Sequence, residues 1–282
     1  MKNVRCFVRS LPGSDRRNRM KKVMSDLNWE YSFWDNTHFE DDVFEDYVRL
    51  GKIKIVEGYM NRVRDVSNTR KKTLCSETIM PGQVANHISM VRLFDHIEKE
   101  DYKEDLIFIM EDDLVIKKYA EEVIMKCMKD VSEDMFVVGI GWGWTRNRRL
   151  EHMDNPIKRY RASTAVFRYS NPFFITNKKT ISYINSNLLQ DQIDMPCDVW
   201  LHGYTKFTDD KIKRYVIYPA LCKDLSYSGD IDSEISVKRT RINSISSKRH
   251  KTKKEENDLK RLREQYNSKK DFTKSFWRKR GL

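Results

Sequence analysis

Three consecutive acidic residues, Glu111, Asp112 and Asp113, directly follow an unbroken apolar run at residues 106–110 (LIFIM). A run of that length is typical of a strand that helices cover on both faces. Ligands in open α/β sheets bind at the carboxyl ends of strands, so carboxylates at this place indicate a binding site. Carboxylates at positions i and i+2 leave a strand on the same side and suit Mg²⁺ or Mn²⁺ that also holds a diphosphate. The alternative interpretation is a solvated acidic turn.

The segments around this cluster predict an α/β fold with a mostly parallel sheet between helices, because strand-like and helix-like patterns alternate along the chain. Strand patterns occur at residues 3–9, 29–34, 106–110, 135–140, 173–176 and 215–218. Helical patterns occur at residues 20–27, 84–100, 119–128 and 181–184. Residues 61–80 are polar, basic and without periodicity, which predicts a loop.

The composition excludes several classes of protein. With 39% hydrophobic and 34% charged residues among 282, the chain can bury a sizeable core and is not disordered throughout. Its five cysteines show no C-x-x-C spacing and leave one unpaired, so we expect no disulfide scaffold and a reducing compartment. No apolar run approaches 18 residues and no signal-peptide core follows Met1, so we expect a cytoplasmic protein that does not span a membrane.

The positive charge is concentrated near the end of the sequence. Residues 238–282 hold 17 of the 54 Lys and Arg and 5 of the 42 Asp and Glu, which leaves 37 of each sign in residues 1–237. We therefore predict a domain at 1–237 and a basic tail at 238–282 that is partly helical, with a helix at 255–266, or disordered.

The tail suggests two different partners. Its basic residues alternate with Phe272, Phe276 and Trp277, a composition that suits an anionic membrane surface and peripheral binding there. A solvated extension is the alternative. Binding of nucleic acid through the tail, with Mg²⁺ held by the carboxylates, is the alternative function, but the neutral body makes nucleic acid the less favoured partner.

Six blocks of sequence, in order, resemble glycosyltransferase family 25, the group of lipooligosaccharide and collagen glycosyltransferases. The blocks are residues 11–17 (LPGSDRR), 33–36 (FWDN), 82–89 (GQVANHIS), 107–113 (IFIMEDD), 171–177 (NPFFITN) and 195–201 (MPCDVWL). The third block departs from the family pattern, since Ala85, Asn86 and Met90 stand where the family has Gly, Cys and His.

The resemblance implies a GT-A-like fold, in which a Rossmann-type nucleotide-binding half and an acceptor half share one sheet. It also implies a nucleotide-sugar donor, with a UDP-sugar favoured, and a glycan, lipid-linked or protein acceptor. Glu111 and Asp113 would bridge Mn²⁺ or Mg²⁺ to the donor diphosphate and so stabilise the leaving group.

The resemblance also suggests roles for other residues in these blocks, or at the end of the first strand just before them. Arg9, Ser10 and Arg17 would hold the nucleotide, together with Asp112, although Arg17 also fits an exposed helix arginine. Asp35 would meet the base or the ribose.

Asp198 is the candidate general base for the acceptor hydroxyl, with Asp191 and Asp194 as substitutes. Its position after Pro196 also suits a helix N-cap. For Trp142 and Trp144 between glycines, sugar stacking and core packing both fit. His87 is read as a core histidine, and Asp230 as a further metal ligand.

Overall fold

The computed structural model describes residues 3–27, 29–49, 54–55, 81–131, 134–140, 161–164, 172–187, 192–193, 211–225 and 252–279. The α-helices of this part are α1 Arg16–Ser25, α2 Asp42–Arg49, α3 Pro81–Lys99, α4 Ala120–Cys127, α5 Lys178–Asn187 and α6 Lys253–Arg278. The strands are β1 Val4–Ser10, β2 Tyr31–Asp35, β3 Lys54–Ile55, β4 Leu106–Glu111, β5 Leu114–Ile116, β6 Phe136–Gly139, β7 Arg161–Thr164, β8 Phe173–Thr176, β9 Gln192–Ile193, β10 Lys213–Tyr218 and β11 Cys222–Asp224.

Seven of these strands form the central sheet, in the order β2-β1-β4-β8-β6-β10-β7. Strands β2, β1 and β4 pair in parallel, and β10 pairs in parallel with β6. The antiparallel strand β8 lies between β4 and β6, and β7 is antiparallel to β10 at the edge. The predicted mixed α/β fold with a mostly parallel sheet between helices is thus confirmed.

The central strand β4 shows why its sequence is apolar without interruption. Leu106, Phe108 and Met110 belong to one buried cluster, whereas Ile107 and Ile109 belong to another. Because successive side chains of a strand point to opposite faces, the two clusters lie on the two sides of the sheet.

Helices cover both sides of the sheet. Met20 and Met24 of α1, with Val123 and Ile124 of α4, pack into the first cluster. Leu93 and Phe94 of α3, with Ile181 and Ile184 of α5, pack into the second. Burying the apolar stripe of each helix in this way is the main source of its stability.

The turn between β1 and α1 contains a glycine that its backbone requires. Gly13 has φ of +73°, a left-handed conformation that residues with a Cβ rarely adopt. This turn brings the first residues of α1 back over the end of β1.

Two helices differ from the sequence-based expectation. Helix α2 lies at Asp42–Arg49, a segment for which we identified no helical pattern; its Phe44 is fully buried and anchors the helix. Helix α6 was predicted at 255–266 and extends over Lys253–Arg278. Its start is fixed by a capping box, in which Glu255 N–H donates to Thr252 Oγ1 at 3.2 Å and Thr252 N–H donates to Glu255 Oε2 at 3.1 Å.

Within the described residues, no helix combines the length and the apolar composition that a membrane crossing needs. The loop predicted at 61–80 lies outside the described residues.

Candidate active site

The carboxyl ends of β1, β2 and β4 meet at one edge of the sheet, which we call the carboxyl edge. Parallel pairing sets Arg9 beside Glu111 and Ser10 beside Asp35. Strand pairing alone therefore brings four polar residues, distant in sequence, to the place where such sheets bind ligands.

Arg9 is buried at this edge, with 3% of its surface exposed. Its Nη2 donates to the backbone oxygen of Asn86 at 3.2 Å and also to the side-chain oxygen of that residue. Its Nη1 lies 4.0 Å from Oε1 of Glu111. The guanidinium thus links β1 to helix α3 and faces the last carboxylate of β4.

Asp112 is held from several directions. Ser10 Oγ donates to its Oδ2 at 2.5 Å, and Arg16 Nη1 donates to its Oδ1 at 3.4 Å. Arg19 donates to its backbone oxygen. These contacts tie the turn between β4 and β5 to the end of β1 and to α1.

Asp113 lies deeper in the same turn. It is 4% exposed, and its Oδ2 lies 3.9 Å from Arg16 Nη1. Its backbone oxygen accepts the N–H of Leu225 at 2.8 Å. Burial, together with the negative charges of Asp224 and Asp113, raises the pKa of the Cys222 thiol, so this thiol stays neutral.

Arg17 links α1 to the end of β2. Its Nη2 donates to the backbone oxygen of Ser10 at 3.1 Å and to Oδ1 of Asp35. Its guanidinium carbon lies 5.1 Å from the centre of the Phe33 ring, within range of a cation–π contact. The Asp35 side chain is 65% exposed and accessible to a ligand.

His87 of α3 is a buried neutral group near Arg9. It is 5% exposed, and its Nδ1 has no hydrogen-bond partner among the residues that the structure describes. Burial and, second, the charge of Arg9 lower its pKa to about 4. The buried position agrees with the core histidine predicted from the sequence.

Guanidinium groups and carboxylates lie close together at the carboxyl edge. Arg9, Arg16 and Arg17 each lie within 4.0 Å of a carboxylate, among those of Glu111, Asp112, Asp113 and Asp35, whereas Arg19 donates to the backbone oxygen of Asp112. Such an edge can receive an anion and its counter-cation together without a large change in net charge.

The described residues contain no group of three or more His, Cys, Asp or Glu side chains arranged to hold a metal ion. Glu111, whose side chain is 34% exposed, and Asp113 remain as two candidate oxygen ligands. This donor set fits an ion such as Mg²⁺, which uses one or two carboxylates and takes its other ligands from substrate phosphates and water.

Of the predicted site residues, those that the structure describes lie at the carboxyl edge, namely Arg9, Ser10, Arg17, Asp35, Glu111, Asp112 and Asp113. Asp198 lies outside the described residues, as do Asp191, Asp194, Trp142, Trp144 and Asp230.

The sequence-based interpretation missed Arg16, Arg19 and Asn86. A signal for the two arginines was available, because α1 has basic residues and no acidic residue in its first turn. Basic residues there oppose the helix dipole, which indicates a role other than helix stability.

Comparison with known proteins identifies a family. The family model described as Glycosyltransferase family 25 (LPS biosynthesis protein) matches residues 3–193. No curated protein matches the chain. Among solved structures, the crystal structure of mouse Xyloside xylosyltransferase 1 in its apo form shows 11% sequence identity and a TM-score of 0.33, over 67% of this chain and 72% of that chain.

Proposed function

Because this chain belongs to glycosyltransferase family 25 and is a glycosyltransferase, we propose that the carboxyl edge binds a nucleotide-sugar donor and transfers its sugar in a metal-dependent reaction. The GT-A-like arrangement, in which one sheet serves donor and acceptor, is part of the proposal. We favour a UDP-sugar as donor and a glycan or glycoconjugate as acceptor.

The observation that carries this proposal is the pairing of Arg9 with Glu111 across two parallel strands, 4.0 Å apart at their side chains. This pairing sets a buried cation next to a partly exposed carboxylate at the edge where open α/β sheets generally bind ligands. A diphosphate needs the first group, and a divalent cation needs the second.

The arginines supply donor binding. Arg9 and Arg16 would face the diphosphate, since guanidinium groups match phosphate oxygens in geometry and charge. Asp35 would accept hydrogen bonds from the ribose or base, with Arg17 fixing its orientation through their ion pair. Ser10 would keep Asp112 in place, so that the turn carrying Asp113 holds its shape.

Glu111 and Asp113 would hold the divalent ion, Mn²⁺ or Mg²⁺. Bound there, the ion would supply Lewis-acid stabilisation of the departing nucleoside diphosphate. Asp112 would not share this role, because Ser10 and Arg16 occupy its oxygens.

Asp198 remains our candidate base, which would take the proton of the acceptor hydroxyl if the configuration at the anomeric carbon inverts. The family block at 195–201 supports it. We also propose a cytoplasmic enzyme that binds an anionic membrane surface through residues 238–282, where a lipid-linked acceptor would be reached.

Donor hydrolysis tests this function. The full chain is incubated with Mn²⁺ and a panel of UDP- and GDP-sugars, and release of free sugar is measured with and without EDTA. We expect turnover of at least one UDP-sugar that EDTA abolishes and added Mn²⁺ restores. Absence of both turnover and nucleotide binding would contradict the proposal, whereas turnover in EDTA would contradict only its metal dependence.

A further inference from the structure

The end of helix α6 packs into the body of the protein through one aromatic side chain. Phe276 is 7% exposed. Its ring centre lies 5.9 Å from that of Phe39 at an interplanar angle of 86°, and 5.9 Å from that of Phe44 at 70°. Both are edge-to-face contacts, the geometry that aromatic pairs prefer.

These two partners border the segment that leaves the carboxyl edge after β2. We call residues 36–39 the β2 loop; it starts directly after Asp35, the last residue of β2, and ends at Phe39. Phe44 lies in the first turn of the following helix α2 and is fully buried. Phe276 therefore contacts both the end of the β2 loop and the helix into which the loop continues.

Helix α3 holds the same loop through hydrogen bonds at Thr37. The Thr37 N–H donates to Ser89 Oγ at 2.8 Å, and Arg92 Nη1 donates to Thr37 Oγ1 at 2.8 Å. Thr37 is 3% exposed. The β2 loop is thus fixed at its middle by α3 and at its end by α6, while the Asp35 carboxylate just before it stays exposed.

We propose that Phe276 is a positioning residue for donor binding: it fixes the β2 loop and thereby the place of Asp35. This inference rests on the proposed function, in which Asp35 meets the ribose or base of the donor. Helix α6 would then contribute to donor binding, although it lies in the segment 238–282 that we predicted only as a basic tail.

The experiment compares Phe276→Ala with Leu259→Ala in the full chain. Leu259 is a matched control, because it is buried to a similar degree, at 8% exposed, on the same helix but roughly four to five turns before Phe276. For Phe276→Ala we expect about a tenfold rise in the Kd for UDP with Mn²⁺ and in the donor KM, with kcat within about twofold of wild type. For Leu259→Ala we expect both constants to stay within about twofold.

Two further measurements separate positioning from folding. Phe276→Tyr keeps the ring and should restore the wild-type KM. Hydrogen exchange at the Thr37 amide, measured relative to exchange at amides of the central strand β4, should be faster in Phe276→Ala than in Leu259→Ala. Because the β4 amides report global unfolding, this ratio separates a local effect from lower overall stability. Equal effects of the two alanine variants on KM or on exchange at Thr37 would overturn the proposal.

The outcomes also distinguish this inference from the function on which it rests. If the wild-type chain neither binds UDP nor hydrolyses any donor, the proposed function fails, and exchange at Thr37 alone decides whether Phe276 fixes the loop. If wild type binds UDP and Phe276→Ala binds it equally well, only the positioning role of Phe276 fails.

Discussion

The hydroxyl of Ser10 donates a 2.5 Å hydrogen bond to the carboxylate of Asp112, which lies 102 positions later in the chain. Both side chains are buried, at 1% and 6% exposed. The bond ties the end of β1 to the turn after β4 at the carboxyl edge. A hydrogen bond to a buried charged group is among the stronger ones in proteins.

Replacing Ser10 by alanine should therefore destabilise the fold. We expect Ser10→Ala to lower the free energy of unfolding by about 1 to 3 kcal/mol, because a buried carboxylate loses a donor. Urea denaturation measures this change. Ser25→Ala is the control, since the exposed Ser25 hydroxyl also donates a hydrogen bond, to Lys22, and its loss should cost less than about 0.5 kcal/mol. Equal losses of unfolding free energy in the two variants would show that the buried Ser10 bond stabilises the fold no more than an exposed one.

Removing the charge of Glu111 should affect catalysis and not folding. We expect Glu111→Gln to reduce kcat for donor hydrolysis about 100-fold or more and to weaken activation by Mn²⁺, because a neutral amide binds a divalent ion poorly. The unfolding midpoint should stay near that of wild type, since the Glu111 side chain is 34% exposed.

Glu30→Gln provides the matched control for that variant. Glu30 is 74% exposed, pairs with Arg5 and precedes β2, at the opposite end of the sheet from Glu111. We expect it to keep wild-type kcat. A Glu111→Gln enzyme with wild-type kcat and Mn²⁺ response would remove Glu111 from the metal site.

The sequence predicts the carboxyl edge well because the edge follows from local patterns. The apolar run before Glu111 marks a buried strand, and parallel pairing then places the end of β4 beside the end of β1. Parallel strands bring their carboxyl ends to one edge of the sheet, but only the structure shows that β1 lies between β2 and β4, which brings Arg9, Asp35 and Glu111 together.

What the sequence could not predict depends on contacts between distant segments. The engagement of Asp112 by Ser10 and Arg16, which separates it from Glu111 and Asp113, requires the path of the turn before α1. The same holds for Phe276, since the sequence does not show which of the aromatic residues of this basic helix packs against Phe39 and Phe44. Periodicity identifies elements but not which side chains meet between them.

The buried His87 should make the fold sensitive to acid. Its pKa is lowered to about 4 by burial and by Arg9, whereas in the unfolded chain an imidazole has a pKa near 6.5. Between these values the unfolded state binds more protons than the native state, so stability falls as the pH drops from about 6.5 to about 4. The loss from this group is up to about 3 kcal/mol, complete below pH 4.

Unfolding free energies of wild type and His87→Leu at several pH values measure that contribution. We expect the variant to show a shallower decline between pH 6.5 and 4, because it lacks the group that takes up the proton. Other groups also titrate in acid, so the difference between the two curves is the relevant quantity. Parallel curves would mean that His87 does not link folding to proton binding.

The basic residues of α6 should bind anionic membranes through charge. Lys253, Lys254 and Lys260 are exposed on this helix, and each basic residue near an anionic surface contributes about 1 kcal/mol. We expect the full chain to co-sediment with phosphatidylserine vesicles, less so as salt rises, and substitution of the three lysines by glutamine to lower the partition coefficient about 100-fold.

Glutamine at the exposed body residues Lys21, Lys118 and Lys129 removes the same charge elsewhere and should leave binding nearly unchanged. If both triple variants have the same partition coefficient, net charge and not α6 attracts the protein to the membrane. If wild type binds neutral vesicles as well as anionic ones, charge does not cause the binding.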